Sequence, residues 1–179
     1  FVHRVDGLDQ GLYLLRRGTD SDAPMRAAFD PAFEWKVCAT GVDGLNLMRL
    51  QRGDARELAR LVSCHQEIAS DGCFAVSMIC PLQAALEARG AAAYRNLHWE
   101  AGAIGQVLYL EAEAAGLRAT GIGCFFDDAI GEMLGTKAPH PYVPLYHFTV
   151  GGAVDDPRLQ TLPPYHHLEK TGSETKNPL

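Results

Sequence analysis

The sequence predicts an α+β fold, a mixed central sheet flanked by helices, and three observations predict it. The run Ala101–Leu110 is apolar on every side except at Gln106, which marks a long helix buried all round rather than one with a single apolar stripe. The run Cys73–Cys80 is almost continuously apolar and short, the pattern of a strand covered on both faces. Between such runs, single helices alternate with single strands, so the helices have a sheet to pack on.

Taken in order, Gly11–Arg17 reads as a strand closed by Gly18, and Thr19–Pro31 as a polar, turn-rich loop broken by Pro24 and Pro31. Phe33–Thr40 fits a strand or a short helix, and Leu45–Leu50 alternates as a short strand. Asp54 with Glu57 three residues on resembles a capping box opening a helix. Leu58, Leu61, Val62, His65 and Ile68 would form its buried face, and Asp71-Gly72 would stop it before the central strand Cys73–Cys80. Pro81 starts a short helix through Ala88, and the long helix follows from Tyr94 to Gly116. Within it, Gly102 and Gly105 each cost about 1 kcal/mol of helix propensity, a cost that points to another element approaching closely. Arg118–Phe126 is a strand running into a turn, and Asp127 or Asp128 caps a helix closed by Gly135. Lys137–Pro144 is a loop, Leu145–Val150 a last strand, and Val154–His167 an irregular arm. The expected domain is residues 1–168, a fragment of a longer chain because Phe1 reads like the middle of a domain, with residues 169–179 a disordered tail.

A net charge of −6 argues against nucleic acid as partner, since phosphate binding needs a basic face. No apolar run approaches the roughly 20 residues of a membrane span. Five cysteines in mostly apolar surroundings fit reduced thiols in a cytoplasmic protein. Cys64, His65, Cys73 and Cys80 lack metal-ligand spacing, so no metal is expected. Cys124 beside glycines reads first as a small core residue, and Gly121-Ile122-Gly123 alone is too little for a nucleotide loop.

The ordered combination carries more. Tyr94-Arg-Asn-Leu-His-Trp-Glu-Ala-Gly-Ala-Ile-Gly-Gln106, then Ala114-Ala-Gly-Leu117, then Gly121-Ile-Gly-Cys-Phe125, with Val150-Gly151 and Leu162-Pro163 downstream, resembles the FMN-dependent nitroreductase superfamily. Within it the chain is most similar to the branch of SagB-type (thiazoline/oxazoline) dehydrogenases.

That resemblance implies a homodimer whose long helices meet, with FMN at the interface and a small-molecule or peptide substrate. It implies Gly121, Ile122, Gly123 and Cys124 against the isoalloxazine, where small residues let backbone N–H groups approach, and Gln106 nearby. Tyr94 and Arg95 fall near a catalytic Lys-Tyr pair of that branch. The family's Arg-rich phosphate anchor on its first helix has no counterpart after Phe1, which leaves Arg158 and His166 as candidates for the phosphate or the reduced ring. The alternative is a flavin-free dimerisation or peptide-binding scaffold, half of a duplicated protein.

Overall fold

A computed structural model of the chain describes residues 1–18 and 22–169. Its architecture is α+β, built from two three-stranded sheets. The first has the order β1 (Gly11–Arg16), β3 (Asn46–Arg52), β2 (Lys36–Val37); the second has β4 (Phe74–Cys80), β6 (Val143–Gly151), β5 (Arg118–Ile122). Among the described residues every strand pairing is antiparallel, so the expected mixed sheet is corrected. Helices connect some strands without bringing any two into parallel register. Val2 joins the sheets, bridging Gly11 on one side and Phe74 on the other.

The second sheet is centred on β6 rather than on the apolar run Cys73–Cys80. β6 has strand partners along both edges, whereas β4 meets only the short stretch Phe1–Val2 on its outer side, where Ala75 N–H donates to Phe1 O (2.9 Å) and Val2 bridges Phe74. Alternation along β6 separates two environments. Tyr146, Phe148 and Val150 pack with Leu108, Tyr109 and Ala112 of helix α5 (Ala92–Ala114). His147 and Thr149 point the other way, where Thr149 Oγ1 donates to the carbonyl of Ile68 (3.1 Å).

Two short helices replace the one expected from Asp54 to Ile68: α2 (Arg56–Val62) and α3 (Ile68–Asp71). Cys64 and His65 lie between them with left-handed φ of 54° and 59°, a conformation no helix accepts. The expected buried stripe is therefore corrected. Val62 is fully buried, but Leu61 and Ile68 are exposed, and the inner face is made by Ala55, Ala59 and Ala69. Asp54 Oδ1 does accept the Arg56 N–H at 3.0 Å, while Glu57 turns away to pair with Arg60 instead of completing the box.

Helix α1 (Ala23–Ala28) occupies part of the segment read as a loop. Pro24 sits in its first turn, where a missing N–H costs nothing. Thr19–Ser21 lie outside the described residues. After α4 (Leu82–Arg89), α5 ends in a Schellman arrangement: Gly116 (φ 71°) donates to Glu113 O (3.0 Å) and Leu117 to Ala112 O (2.8 Å). Helix α6 (Asp127–Met133) ends likewise on Gly135, with Thr136 N–H donating to Gly131 O (2.9 Å). Residues 152–165 form the arm, closed by one turn, α7 (His166–Glu169). Glu169, expected to open the tail, ends that turn, and the rest of the expected tail lies outside the described residues.

Within the chain α5 is not buried on every side. Ala93, Ala101, Gly105 and Ala112 are buried, the last two against β6; Trp99, Val107 and Leu110 are exposed. One sheet can cover only one face of a 23-residue helix, and the opposite face stays apolar and uncovered.

Candidate active site

The site grows from the close approach of α5 to β6 and β5. Gly105 is buried, and a Cβ there would stand 2.8 Å from Tyr146 Cε1. Gly102 meets nothing within 4 Å in its own chain, so within the subunit Gly105 alone makes the close contact. Tyr146 then crosses to β5, where a Cβ on Gly121 would collide with its hydroxyl. The Gly121 N–H donates to Tyr109 Oη at 2.6 Å. Two tyrosines thus occupy Gly121, and Ile122 beyond it is buried in the larger core.

The next residues leave the sheet. Gly123 and Cys124 are exposed, and Gly123 has no atom within 4 Å of a would-be Cβ. The expectation of Cys124 as a buried thiol is therefore corrected: it sits past the end of β5, where no second layer covers it. Gly123 and Phe125 line a cavity of about 520 Å³ together with Tyr94 and His98 of α5, Asp128 of α6 and His140. Phe125 stacks on His147, with ring centroids 4.4 Å apart and planes 11° from parallel. On the α5 side, Tyr94 and His98 form a second aromatic pair 4.5 Å apart, and His98 Nδ1 lies 2.9 Å from Tyr94 O.

Behind this wall lies a polar cluster. His147 Nδ1 is 3.0 Å from Ser63 Oγ and Nε2 is 2.9 Å from Ser77 Oγ. A neutral imidazole has one donor and one acceptor, so it satisfies one serine in each sense. Burial pushes the His147 pKa down to about 4. His140 is fixed by Thr136 Oγ1 at 2.7 Å and sits 4.0 Å from Asp128. It occupies the space that a Cβ on Gly131 would need.

The remaining sequence candidates lie elsewhere. Gln106 is exposed in the middle of the uncovered face of α5. Arg95 lays its guanidinium over Trp99, 4.7 Å from the ring centroid, and does not line the cavity. Arg158 in the arm is held by Asp156 (Nε–Oδ1 2.8 Å), and neither it nor His166 lines the cavity. The structure thus brings together Tyr94 and Gly123 and leaves Arg95, Gln106, Arg158 and His166 outside.

Residues 49–152, more than half of the chain, match the nitroreductase family. The chain belongs to that family. No protein with a curated description matches it. Among solved structures, a protein named as a nitroreductase from Anabaena variabilis is 27% identical with a TM-score of 0.56; the match covers 67% of this chain and 26% of that one. This member of the nitroreductase family therefore spans about a quarter of the Anabaena chain. An NAD(P)H:FMN oxidoreductase from Staphylococcus epidermidis matches at 18% identity and a TM-score of 0.42, over 62% of this chain and 68% of that one.

Sequence reasoning missed Phe125, His98, Asp128 and His140 as site residues of this nitroreductase-family chain. His98 carried a usable signal, since it stands four residues after Tyr94 on the same helix face. Phe125 stood two residues after Gly123 in the same motif; His140 carried no signal, because tertiary packing alone brings it to Gly123.

Proposed function

We propose that this chain is part of a flavin-dependent oxidoreductase of the nitroreductase type. In this reading the chain would hold FMN, whose N5 would supply hydride transfer between a donor (NAD(P)H or the substrate itself) and a small organic or peptide-derived substrate, as in SagB-type dehydrogenases. The observation that carries it is the cavity walled by the Gly123–Phe125 turn and by Tyr94, in a chain of this family.

The residues present fit the flavin ring and not its phosphate. The cavity's 520 Å³ lies within the roughly 300–1,000 Å³ of cofactor sites. Phe125, Tyr94 and His98 offer flat apolar walls, and the open space at Gly123 admits a planar group against the backbone. No Lys or Arg lines the cavity, whereas Asp127 and Asp128 do. A dianionic phosphate needs basic or amide partners, so its anchor lies outside this cavity. FMN, when bound, supplies hydride acceptance and donation at N5.

The chain's own residues bind and orient. Gly123 and Cys124 would hold the ring through their backbone, Phe125 supports that turn by stacking on His147, and the Tyr94 phenol would hold or move a proton at Oη for the substrate. Arg158 and His166 serve the phosphate only where the arm reaches a cavity other than the one described. A homodimer completes the account: Trp99, Gly102, Ala103, Gln106, Val107 and Leu110 form one exposed, largely apolar stripe on α5, which a second copy would cover.

Purified full-length protein tests the reading by its visible spectrum, before and after incubation with FMN. A flavin band that bleaches with NAD(P)H or substrate supports it. The absence of cavity cations favours one second reading, a flavin-free scaffold, and a dimer that takes up no FMN would select it.

A further inference from the structure

We propose that Cys64 and Cys124 form a dithiol site that hydroperoxides oxidise to a reversible disulfide, clamping the turn after β5 to the end of α2. The chemistry requires no flavin, so it stands or falls apart from the cofactor reading.

Two segments meet here. α2 ends at Val62, and the left-handed pair Cys64 and His65 reverses the chain. Contacts straddle Cys64 on both sides. Phe126 N–H donates to Val62 O at 3.0 Å, and Gln66 Nε2 donates to Cys124 O at 3.0 Å while also holding Ser63 O at 2.8 Å. The His65 and Phe126 rings add an edge contact with centroids 5.7 Å apart. Cys64 is thereby held facing residues 124–126. The neighbouring Cys124 thiol, followed by desolvation, pushes the Cys64 pKa up to about 11.

The two thiols differ in access: Cys124 is exposed and Cys64 half-buried. Accessible thiolate reacts first. Cys124 thiolate attacks the hydroperoxide O–O bond, leaving Cys124 sulfenic acid and, for hydrogen peroxide, water once the hydroxide is protonated. Cys64 sulfur then attacks the sulfenic sulfur, forming the S–S bond and releasing a second water. In sum, two thiols and one hydrogen peroxide give one disulfide and two waters. The two thiols lose two electrons and the peroxide gains them. A dithiol reductant reverses the modification by exchange. Since Gly123 and Phe125 flank Cys124 and both line the cavity, the bond ties one cavity wall to α2.

The test treats the reduced, native full-length protein with hydrogen peroxide, blocks remaining thiols with an alkylating agent, and maps peptides without reduction. The expected result is the loss of two thiols per chain, a Cys64–Cys124 peptide pair, and full recovery with dithiothreitol. In Cys64→Ser the expected product is Cys124 sulfenic acid, trapped by dimedone, with no cross-linked pair. Cys124 oxidised alone in the wild type, or a bond from either residue to Cys38, Cys73 or Cys80, overturns the proposal. The wild-type map decides by itself should the variant fail to fold.

Discussion

Tyr146 lies against Gly105 so closely that a Cβ on the glycine would stand 2.8 Å from Cε1 of the ring. This contact sets the distance between α5 and β6. Gly105→Val should therefore destabilise the fold by about 1–3 kcal/mol through overpacking. Gly102→Ala, with nothing within 4 Å, should hold stability constant or raise it by up to about 1 kcal/mol. Urea denaturation of the two variants checks the pair.

The same tyrosine closes off Gly121. Gly121→Ala should cost about 2 kcal/mol or more, because its Cβ meets the Tyr146 hydroxyl. Tyr146→Phe in the same chain removes the oxygen and should restore part of the loss. A double-mutant cycle by denaturation reads that coupling. Additive costs would show that the collision is relieved elsewhere.

His147 predicts a pH dependence. Burial holds its folded pKa at about 4, below the ordinary 6.5. Between these values the unfolded chain binds the proton and the folded chain does not, so the stabilising effect is full above pH 6.5 and is lost as pH falls toward 4. The full span is worth up to about 3 kcal/mol. Burial shifts His3 in the same direction, so His147→Gln should flatten the stability–pH curve only in part. Denaturation midpoints measured across that window test it, and an unchanged slope in the variant counts against the assignment.

Val107 and Leu110 are 56% and 61% exposed on α5. Val107→Glu or Leu110→Glu should leave subunit stability within about 0.5 kcal/mol, as for exposed sites. If two copies meet on this stripe, either change should weaken association at least about tenfold, a loss of ~1.4 kcal/mol. Sedimentation of wild type and variants measures it.

What the sequence made legible was local. The apolar run ending at Gly116 declared α5, and the glycine-spaced Gly121–Phe125 segment declared the turn beside the cavity. The helix expected to run on through Ile68 failed because periodicity cannot register two left-handed residues at Cys64 and His65. Burial on every side of α5, in a core or at a subunit interface, is half met within one chain. An apolar helix declares that both faces seek cover, and a single chain supplies only one. Gly121 looked free for a ligand because nothing in the sequence says that Tyr146 and Tyr109 converge on it. The cavity itself joins residues from Leu82 to Leu145, a convergence made by pairing β4 and β5 with β6 and by laying α5 across them.

The central claim is that the open space at Gly123 takes the flavin ring. The direct measurement is FMN titration of the full-length protein, followed by quenching of flavin fluorescence, in wild type and in Gly123→Val. No atom lies within 4 Å of the added Cβ, so the fold should accept the valine. The account predicts saturable binding of one FMN per subunit in the wild type and at least about tenfold weaker binding in the variant, ~1.4 kcal/mol. Equal affinity in the two proteins, or no quenching in the wild type, would contradict it.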